Sequence, residues 1–264
     1  MRAVGIILAG GNNNRMKELT HKRAVAAMPI AGSYRSIDFA LSNMTNSHIQ
    51  KVAVLTQYNA RSLNEHLNSS KWWNFGRKQG GLYVFTPTIT NDNGYWYRGT
   101  ADAIYQNMDF LKKSHEPYVV IASGDAVYKM DYSKVLQYHI DKKADVTVVC
   151  KEMDPSDDVS RFGTIRMDDD MRITEFEEKP MVTKSNMIST GIYVIRRRLL
   201  IDLIEHAAEE ERFDFVNDVL IRYKNLKKIY GYKIDHYWSN IATVDAYYKT
   251  NMDFLKPEVR NYFF

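Results

Sequence analysis

Short apolar, β-branched runs alternate with stretches that carry apolar residues at helical spacing, and this alternation limits the possible folds more than any other feature of the chain. Val4 to Leu8, Val52 to Thr56, Tyr118 to Ala122, Val146 to Cys150 and Gly191 to Ile195 read as buried strands. Arg61 to Leu67, Ala101 to Lys113 and Tyr132 to Lys142 read as helices. Strands separated by helices imply βαβ units, so an α/β fold is expected, with a mixed, mostly parallel sheet flanked by helices. From Phe162 to Glu178 the pattern turns to short strands around Asp168-Asp169-Asp170, which predicts a small antiparallel insertion. Helical patterns return after Phe215 and end with Thr243 to Leu255, and Lys256-Pro257 breaks that last helix. With no repeat, low-complexity stretch or linker before that break, residues 1–255 read as one domain and 256–264 as the exit from it.

A chain of 264 residues buries roughly three quarters of its unfolded surface, enough for a large core without disulfides or a structural metal. Lys and Arg number 36 against 32 Asp and Glu, a formal charge of +4, and the cations are interleaved with acids. That balance argues against a nucleic-acid or membrane partner. The single cysteine, Cys150, lies in an apolar strand and has no internal partner, which suggests a reducing compartment, hence the cytoplasm. The apolar run after Arg2 is short for a signal peptide and meets Gly10-Gly11 instead of a cleavage site. No apolar stretch approaches the ~20 residues that span a bilayer. His21, His66 and His139 lack the spacing of a metal site and read as surface or core residues.

Two strand ends offer chemistry. The first strand runs into Ala9-Gly10-Gly11-Asn12-Asn13-Asn14-Arg15. In an open α/β sheet ligands sit beyond the carboxyl ends of the strands, where a Gly-rich turn lets backbone N–H groups approach phosphate. The dinucleotide fingerprint and the P-loop ending are both absent, and a plain turn explains the same residues equally well. After Tyr118 to Ala122 comes Ser123-Gly124-Asp125. A carboxylate there could hold Mg²⁺ beside substrate phosphates, or could simply cap a turn. Glu177-Glu178-Lys179-Pro180 sets a lysine among carboxylates, a pattern that by itself also fits a solvated face.

Taken together, the residues resemble a family. Leu8-Ala9-Gly10-Gly11 with Arg15, Leu19-Thr20, Arg23-Ala24 and Pro29 are followed by Arg35-Ser36-Ile37-Asp38-Phe39 with Leu41-Ser42-Asn43. Then come Thr56-Gln57-Tyr58, Trp96-Tyr97-Arg98-Gly99-Thr100-Ala101-Asp102-Ala103, Gly124-Asp125, Phe162-Gly163, Glu178-Lys179-Pro180 and Gly191-Ile192-Tyr193. In this order they are similar to the glucose-1-phosphate adenylyltransferases, the ADP-glucose pyrophosphorylases. The resemblance implies a Rossmann-like, GT-A-like sugar nucleotidyltransferase fold and transfer of an adenylyl group from ATP to glucose 1-phosphate, in glycogen biosynthesis. By position, Leu8, Ala9, Gly10 and Gly11 would line the nucleotide, Arg15 would face its phosphates, and Gln57 with Gly99 and Thr100 would surround adenine. Asp125 would hold Mg²⁺, and Gly163, Glu178, Lys179 and Ser189 would bind glucose 1-phosphate, with Lys179 on its phosphate. The family continues into a C-terminal left-handed β-helix, for which residues 256–264 would begin the linker.

The departures fall on one side of that site. Where the family has Gly-x-Gly-Thr-Arg, this chain has Gly11-Asn12-Asn13-Asn14-Arg15. Arg-Ala-Lys-Pro appears as Arg23-Ala24-Val25-Ala26, which replaces a cation by an isopropyl group. Tyr-Trp-Arg-Asp-Val-Gly-Thr appears as Tyr237-Trp238-Ser239-Asn240-Ile241-Ala242-Thr243, so the second metal carboxylate is the neutral Asn240. The residue after Asp125, usually His, is Ala126. This pattern resembles the GlgD-type subunit, which modulates a catalytic ADP-glucose pyrophosphorylase subunit within a hetero-oligomer. The expected activity is therefore weak or absent, with ATP or ADP-glucose as secondary ligands. An active adenylyltransferase and a sugar-phosphate sensor are the alternatives.

Overall fold

The computed structural model describes residues 2–11, 14–68, 70–75, 80–90 and 94–264. Asn12 and Asn13 of the loop after the first strand lie outside the described residues. The strands are β1 (Ala3–Leu8), β2 (Pro29–Ile30), β3 (Tyr34–Arg35), β4 (Lys51–Leu55), β5 (Gly81–Phe85), β6 (Tyr118–Ser123), β7 (Ala126–Tyr128), β8 (Val146–Glu152), β9 (Gly163–Met167), β10 (Ile173–Glu178), β11 (Met187–Arg196), β12 (Ile229–Ile234) and β13 (Trp238–Asn240). The helices are α1 (Ser36–Asn46), α2 (Arg61–Leu67), α3 (Thr100–Gln106), α4 (Met108–Lys112), α5 (Tyr132–Asp141), α6 (Arg197–Glu209), α7 (Val244–Asp253) and α8 (Pro257–Phe263). The fold is α/β, a mixed, mostly parallel central sheet flanked by helices with small antiparallel sheets, as expected. No helix among the described residues is long and apolar enough to cross a membrane.

The chain divides into two compact units. One comprises Gly5–Trp96, Ala122–Asp131 and His236–Phe264. In it β1, β4 and β5 pair in parallel, from Gly5 opposite Val52 to Leu55 opposite Phe85, and β7 pairs antiparallel with β13. Helix α1 is buried along most of its length, and its polar residues act as fasteners. The Arg35 N–H donates to Asp38 Oδ2 at 2.8 Å, His66 Nε2 lies 2.6 Å from Asp38 Oδ1, and Asn43 bonds both the Tyr128 carbonyl (3.1 Å) and the Met130 N–H (3.0 Å). The Ile-Asp-Phe-x-Leu-Ser-Asn block is thus a scaffold that ties α1 to the end of β7. Residues 257–263 form α8, whose Phe263 ring packs edge-on against Phe39 at 5.3 Å.

The other unit comprises Met1–Val4, Tyr97–Ile121 and Tyr132–Asp235. Its long strand β11 pairs antiparallel with β6, β8 and β9, β12 runs parallel to β8, and β9 with β10 forms the antiparallel hairpin predicted around Asp168. Cys150 is fully buried in β8, and burial pushes its thiol up to about 12. Two expectations are corrected. The helix read over Ala101 to Lys113 is two helices, because Asn107 leaves the helical region (φ −113°, ψ 24°) and turns its side chain onto the Ala103 carbonyl and the Tyr97 hydroxyl. The region after Phe215 is not helical throughout. It begins with a π-helical turn, Phe215–Ile221, and then gives strands β12 and β13 before α7.

Candidate functional site

In the first unit, three chain segments meet at the ends of β1 and β4. The Ala9 N–H donates to the Leu55 carbonyl at 2.8 Å, and the Gly124 N–H donates to the Leu8 carbonyl at 3.0 Å. A methyl group on Gly124 would lie 3.4 Å from Ala9 Cβ and 3.1 Å from Ala26 Cβ, and one on Gly10 would lie 3.4 Å from Gln57 Cγ. Leu8, Ala9, Gly10 and Gln57 are therefore brought together, as the resemblance implies for a nucleotide lining. Gly11 is exposed with nothing within 4 Å of the space beside its Cα, and Arg15 is exposed in the 3₁₀ turn Asn14–Thr20.

Asp125 follows Gly124 in the turn between β6 and β7. The Ser123 hydroxyl donates to its Oδ1, and its carbonyl accepts the Ile241 N–H at 2.9 Å. Because Asn240 pairs with Ala126 across the β7–β13 ribbon, Asp125 and Asn240 are neighbours, and Asn240 Oδ1 accepts the Ala242 N–H at 3.1 Å. The resemblance implies Mg²⁺ here, for which the two residues would offer one carboxylate and one amide oxygen, which carries no net charge. Among the described residues no group of three or more His, Cys, Asp or Glu side chains is arranged to hold a metal ion. Such a set fits a Mg²⁺ that keeps its waters and arrives with phosphates, not one held by the protein alone.

Val25 was expected to stand where a cation would face phosphate. It is 8% exposed and belongs to an apolar cluster with Met16, Met28, Ile30, Phe39, Val127, Ile241 and Phe254. Ile241, which follows Asn240, lies in the same packed cluster.

The second unit holds the residues assigned to glucose 1-phosphate. Gly163 opens β9 and pairs with Glu178 at the end of β10. A Cβ on Gly163 would lie 2.8 Å from Glu178 Oε2 and 2.7 Å from Phe176 Cε2, so only glycine leaves room for the carboxylate there. Lys179 adopts φ +48°, its N–H donates to the Phe162 carbonyl at 3.2 Å, and its ammonium lies 3.2 Å from Glu178 Oε1. Burial holds the Glu178 carboxyl above its ordinary value, against the opposing pull of Lys179 and with a smaller push from Asp214. Ser189 is buried, 3.2 Å from the Tyr193 hydroxyl, and burial likewise raises Tyr193. Replacing Gly163 by alanine is expected to displace the Glu178 carboxylate. Sugar-phosphate affinity should fall about tenfold with a stability loss of roughly 1–3 kcal/mol, checked by calorimetry and thermal melting; unchanged affinity would detach this glycine from the site.

Gly99 and Thr100 belong to the same unit and serve as anchors. The backbone of Phe213 approaches Gly99 so closely that a Cβ would lie 2.3 Å from its carbonyl oxygen. The Ala101 N–H donates to that oxygen at 2.8 Å, and Thr100 Oγ1 accepts the Phe215 N–H at 2.9 Å. Buried Asp102 accepts from the Arg98 backbone (2.9 Å) and guanidinium (3.1 Å) and from Gln106 (3.0 Å), while Arg98 stacks on the Phe213 ring at 3.8 Å. The knot fixes Phe213-Asp214-Phe215, and with it Asp214, in electrostatic range of Glu178 and Tyr193. Asp214 and Tyr193 were not singled out from the sequence. Tyr193 closes the Gly191-Ile192-Tyr193 motif, and Asp214 carries no local signal beyond the Phe-Asp-Phe triplet.

The nucleotidyl transferase family profile matches residues 4–257. The chain is 40% identical over 256 residues to a glucose-1-phosphate adenylyltransferase of Thermosipho melanesiensis, covering 96% of this chain and 62% of that protein. It is 42% identical over 255 residues to one from Clostridium novyi (96% and 66%) and 42% identical over 260 residues to one from Bacillus anthracis (97% and 69%). The chain spans less than two thirds of the first two of these relatives. Fold, strand-end residues and sequence similarity agree that the chain belongs to the nucleotidyl transferase family, alongside relatives named glucose-1-phosphate adenylyltransferase.

Proposed function

We propose that the chain is the nucleotidyl-transferase part of a glucose-1-phosphate adenylyltransferase subunit with little activity of its own, which modulates a catalytic subunit in a cytoplasmic hetero-oligomer. The reaction joins a phosphate oxygen of glucose 1-phosphate to the α-phosphorus of ATP and breaks the bond to the β-phosphate, releasing pyrophosphate. It needs little beyond alignment and charge neutralisation. On the sugar side the residues suit that task. Glu178 and Ser189 would accept and donate bonds to sugar hydroxyls, and the Lys179 ammonium would meet the phosphate. On the nucleotide side Gly10, Gly11 and Gln57 would receive the base and phosphates, with Arg15 as the remaining cation. Asp125 would hold Mg²⁺, which when bound neutralises phosphate charge.

The observation that carries the regulatory reading is that Asn240, opposite Ala126 on the ribbon, is the neighbour of Asp125, leaving one carboxylate where phosphoryl chemistry favours more charge. The chain is expected to bind glucose 1-phosphate more tightly than ATP and to release pyrophosphate at least a hundredfold more slowly than an active relative. Mixed with a catalytic subunit, it should change that subunit's kinetics. A pyrophosphate-release assay on each protein and on their mixture decides. Turnover by the chain alone at a relative's rate would make it an active adenylyltransferase, and glucose 1-phosphate binding with unaltered partner kinetics would leave it a sensor.

A further inference from the structure

The ribbon of β7 and β13 is three residues long on each strand, and its two ends meet different surroundings. One end carries Asp125 and Asn240. At the other, Trp238 pairs with Tyr128, and the flanking residues Lys129, His236 and Tyr237 all meet α8. Lys129 Nζ donates to the carbonyls of Tyr262 (2.8 Å) and Phe263 (3.4 Å), a cation at the carbonyl end of a helix. The Tyr262 hydroxyl donates back to the Lys129 carbonyl at 2.9 Å, so strand end and helix end hold each other. The His236 and Tyr262 rings stack with centroids 6.3 Å apart, and Phe263 sits edge-on to Tyr237 at 5.6 Å. The same strand is tied to α7 by the Tyr237 hydroxyl on Asp253 (3.0 Å) and by Ser239 with Thr250 (2.7 Å).

A two-stranded ribbon is marginally stable by itself, so its geometry is set by what grips it, here α1 through Asn43, α7 through Asp253 and Thr250, and α8 through Tyr262 and Phe263. We propose that α8 is a positioning element for the phosphate side of the site. Docked through Lys129, Tyr262 and Phe263, it completes the hold that Asn43 of α1 begins on one end of the ribbon and thereby helps to fix the spacing of Asp125 and Asn240 at the other. Anything that loosens or tightens α8 then tunes phosphate-side binding while leaving Glu178, Lys179 and Ser189 unaffected. The inference rests on the reading of Asp125 as the phosphate- and metal-side carboxylate.

Amide hydrogen exchange on the full 264-residue chain tests the mechanical part without a ligand. Tyr262→Phe removes the hydroxyl and keeps the ring, and Lys129→Met removes the cation and keeps the stem. In the double variant the Ile241 amide, bonded to Asp125, is expected to exchange about tenfold faster, with the amides of β8 and β11 unchanged. An unchanged Ile241 rate overturns the proposal, as does a rise shared equally by β8 and β11, which would mean general destabilisation. Calorimetry on the same variant then separates the two readings. A weaker Mg²⁺–ATP affinity with constant glucose 1-phosphate affinity supports both, whereas faster Ile241 exchange with constant Mg²⁺–ATP affinity keeps the lever and removes Asp125 from the phosphate site.

Discussion

Replacing Asp102 by alanine is expected to lower the melting temperature by roughly 6–12 °C, the shift for a loss of about 3 kcal/mol in a protein of this size. The Asp102 side chain is 1% exposed and accepts bonds from the Arg98 backbone, the Arg98 guanidinium and Gln106. Truncation leaves those donors without their acceptor, and the backbone N–H of Arg98 cannot turn away to find another. The damage spreads, because Gly99, Thr100 and Ala101 hold Phe213-Asp214-Phe215 through backbone contacts. Arg98→Ala is the milder change. Its side chain is 42% exposed, and Asp102 keeps its other two donors. Scanning calorimetry on both variants checks the order. If Asp102→Ala melts within about 2 °C of the parent, the knot does not carry the segment.

That knot also shows how far sequence reasoning reached. The strands at Val4, Val52, Tyr118 and Val146 and the helices at Arg61 and Tyr132 lie where apolar periodicity placed them. Helix α6 was missed, although Leu200, Leu203, Ile204 and Ala207 recur on one helical face and are all buried. Strand β12 was missed because a short strand within a region of helical pattern is decided by its pairing with β8, a contact over eighty residues of chain. The motif blocks divide in a way that spacing could not reveal. Asp38, Asn43 and Asp102 are scaffold, satisfied by backbone and neighbouring side chains. Glu178 and Lys179 instead lie against each other at a strand end, with the lysine exposed. Val25 is the instructive residue. Its loss of charge was visible in the sequence, but its place in an apolar cluster with Ile241 depends on how the chain returns from residue 241 to residue 25.

Asn240→Asp is expected to raise Mg²⁺-dependent pyrophosphate release on the order of a hundredfold, the scale on which one charge-stabilising group acts in a transition state. Aspartate has nearly the same shape as asparagine. One oxygen can keep the bond from the Ala242 N–H while the new negative charge, shared by both oxygens, adds to that of the neighbouring Asp125. Two neighbouring carboxylates repel without a cation and are reconciled by one, so the gain should appear only with Mg²⁺. Val25→Lys behaves differently because the residue is buried. Its ammonium must escape an apolar cluster, at a cost of roughly 1–3 kcal/mol seen as a lower melting temperature. If the ammonium reaches the phosphate side, the double variant should turn over faster per folded molecule than either single change, and by more than their product, since charge and metal act on one phosphate group. Rates corrected for folded fraction give the answer. A double variant no faster than Asn240→Asp would show that position 25 serves the core alone, and an Asn240→Asp variant no faster than the parent would remove the ribbon from the chemistry.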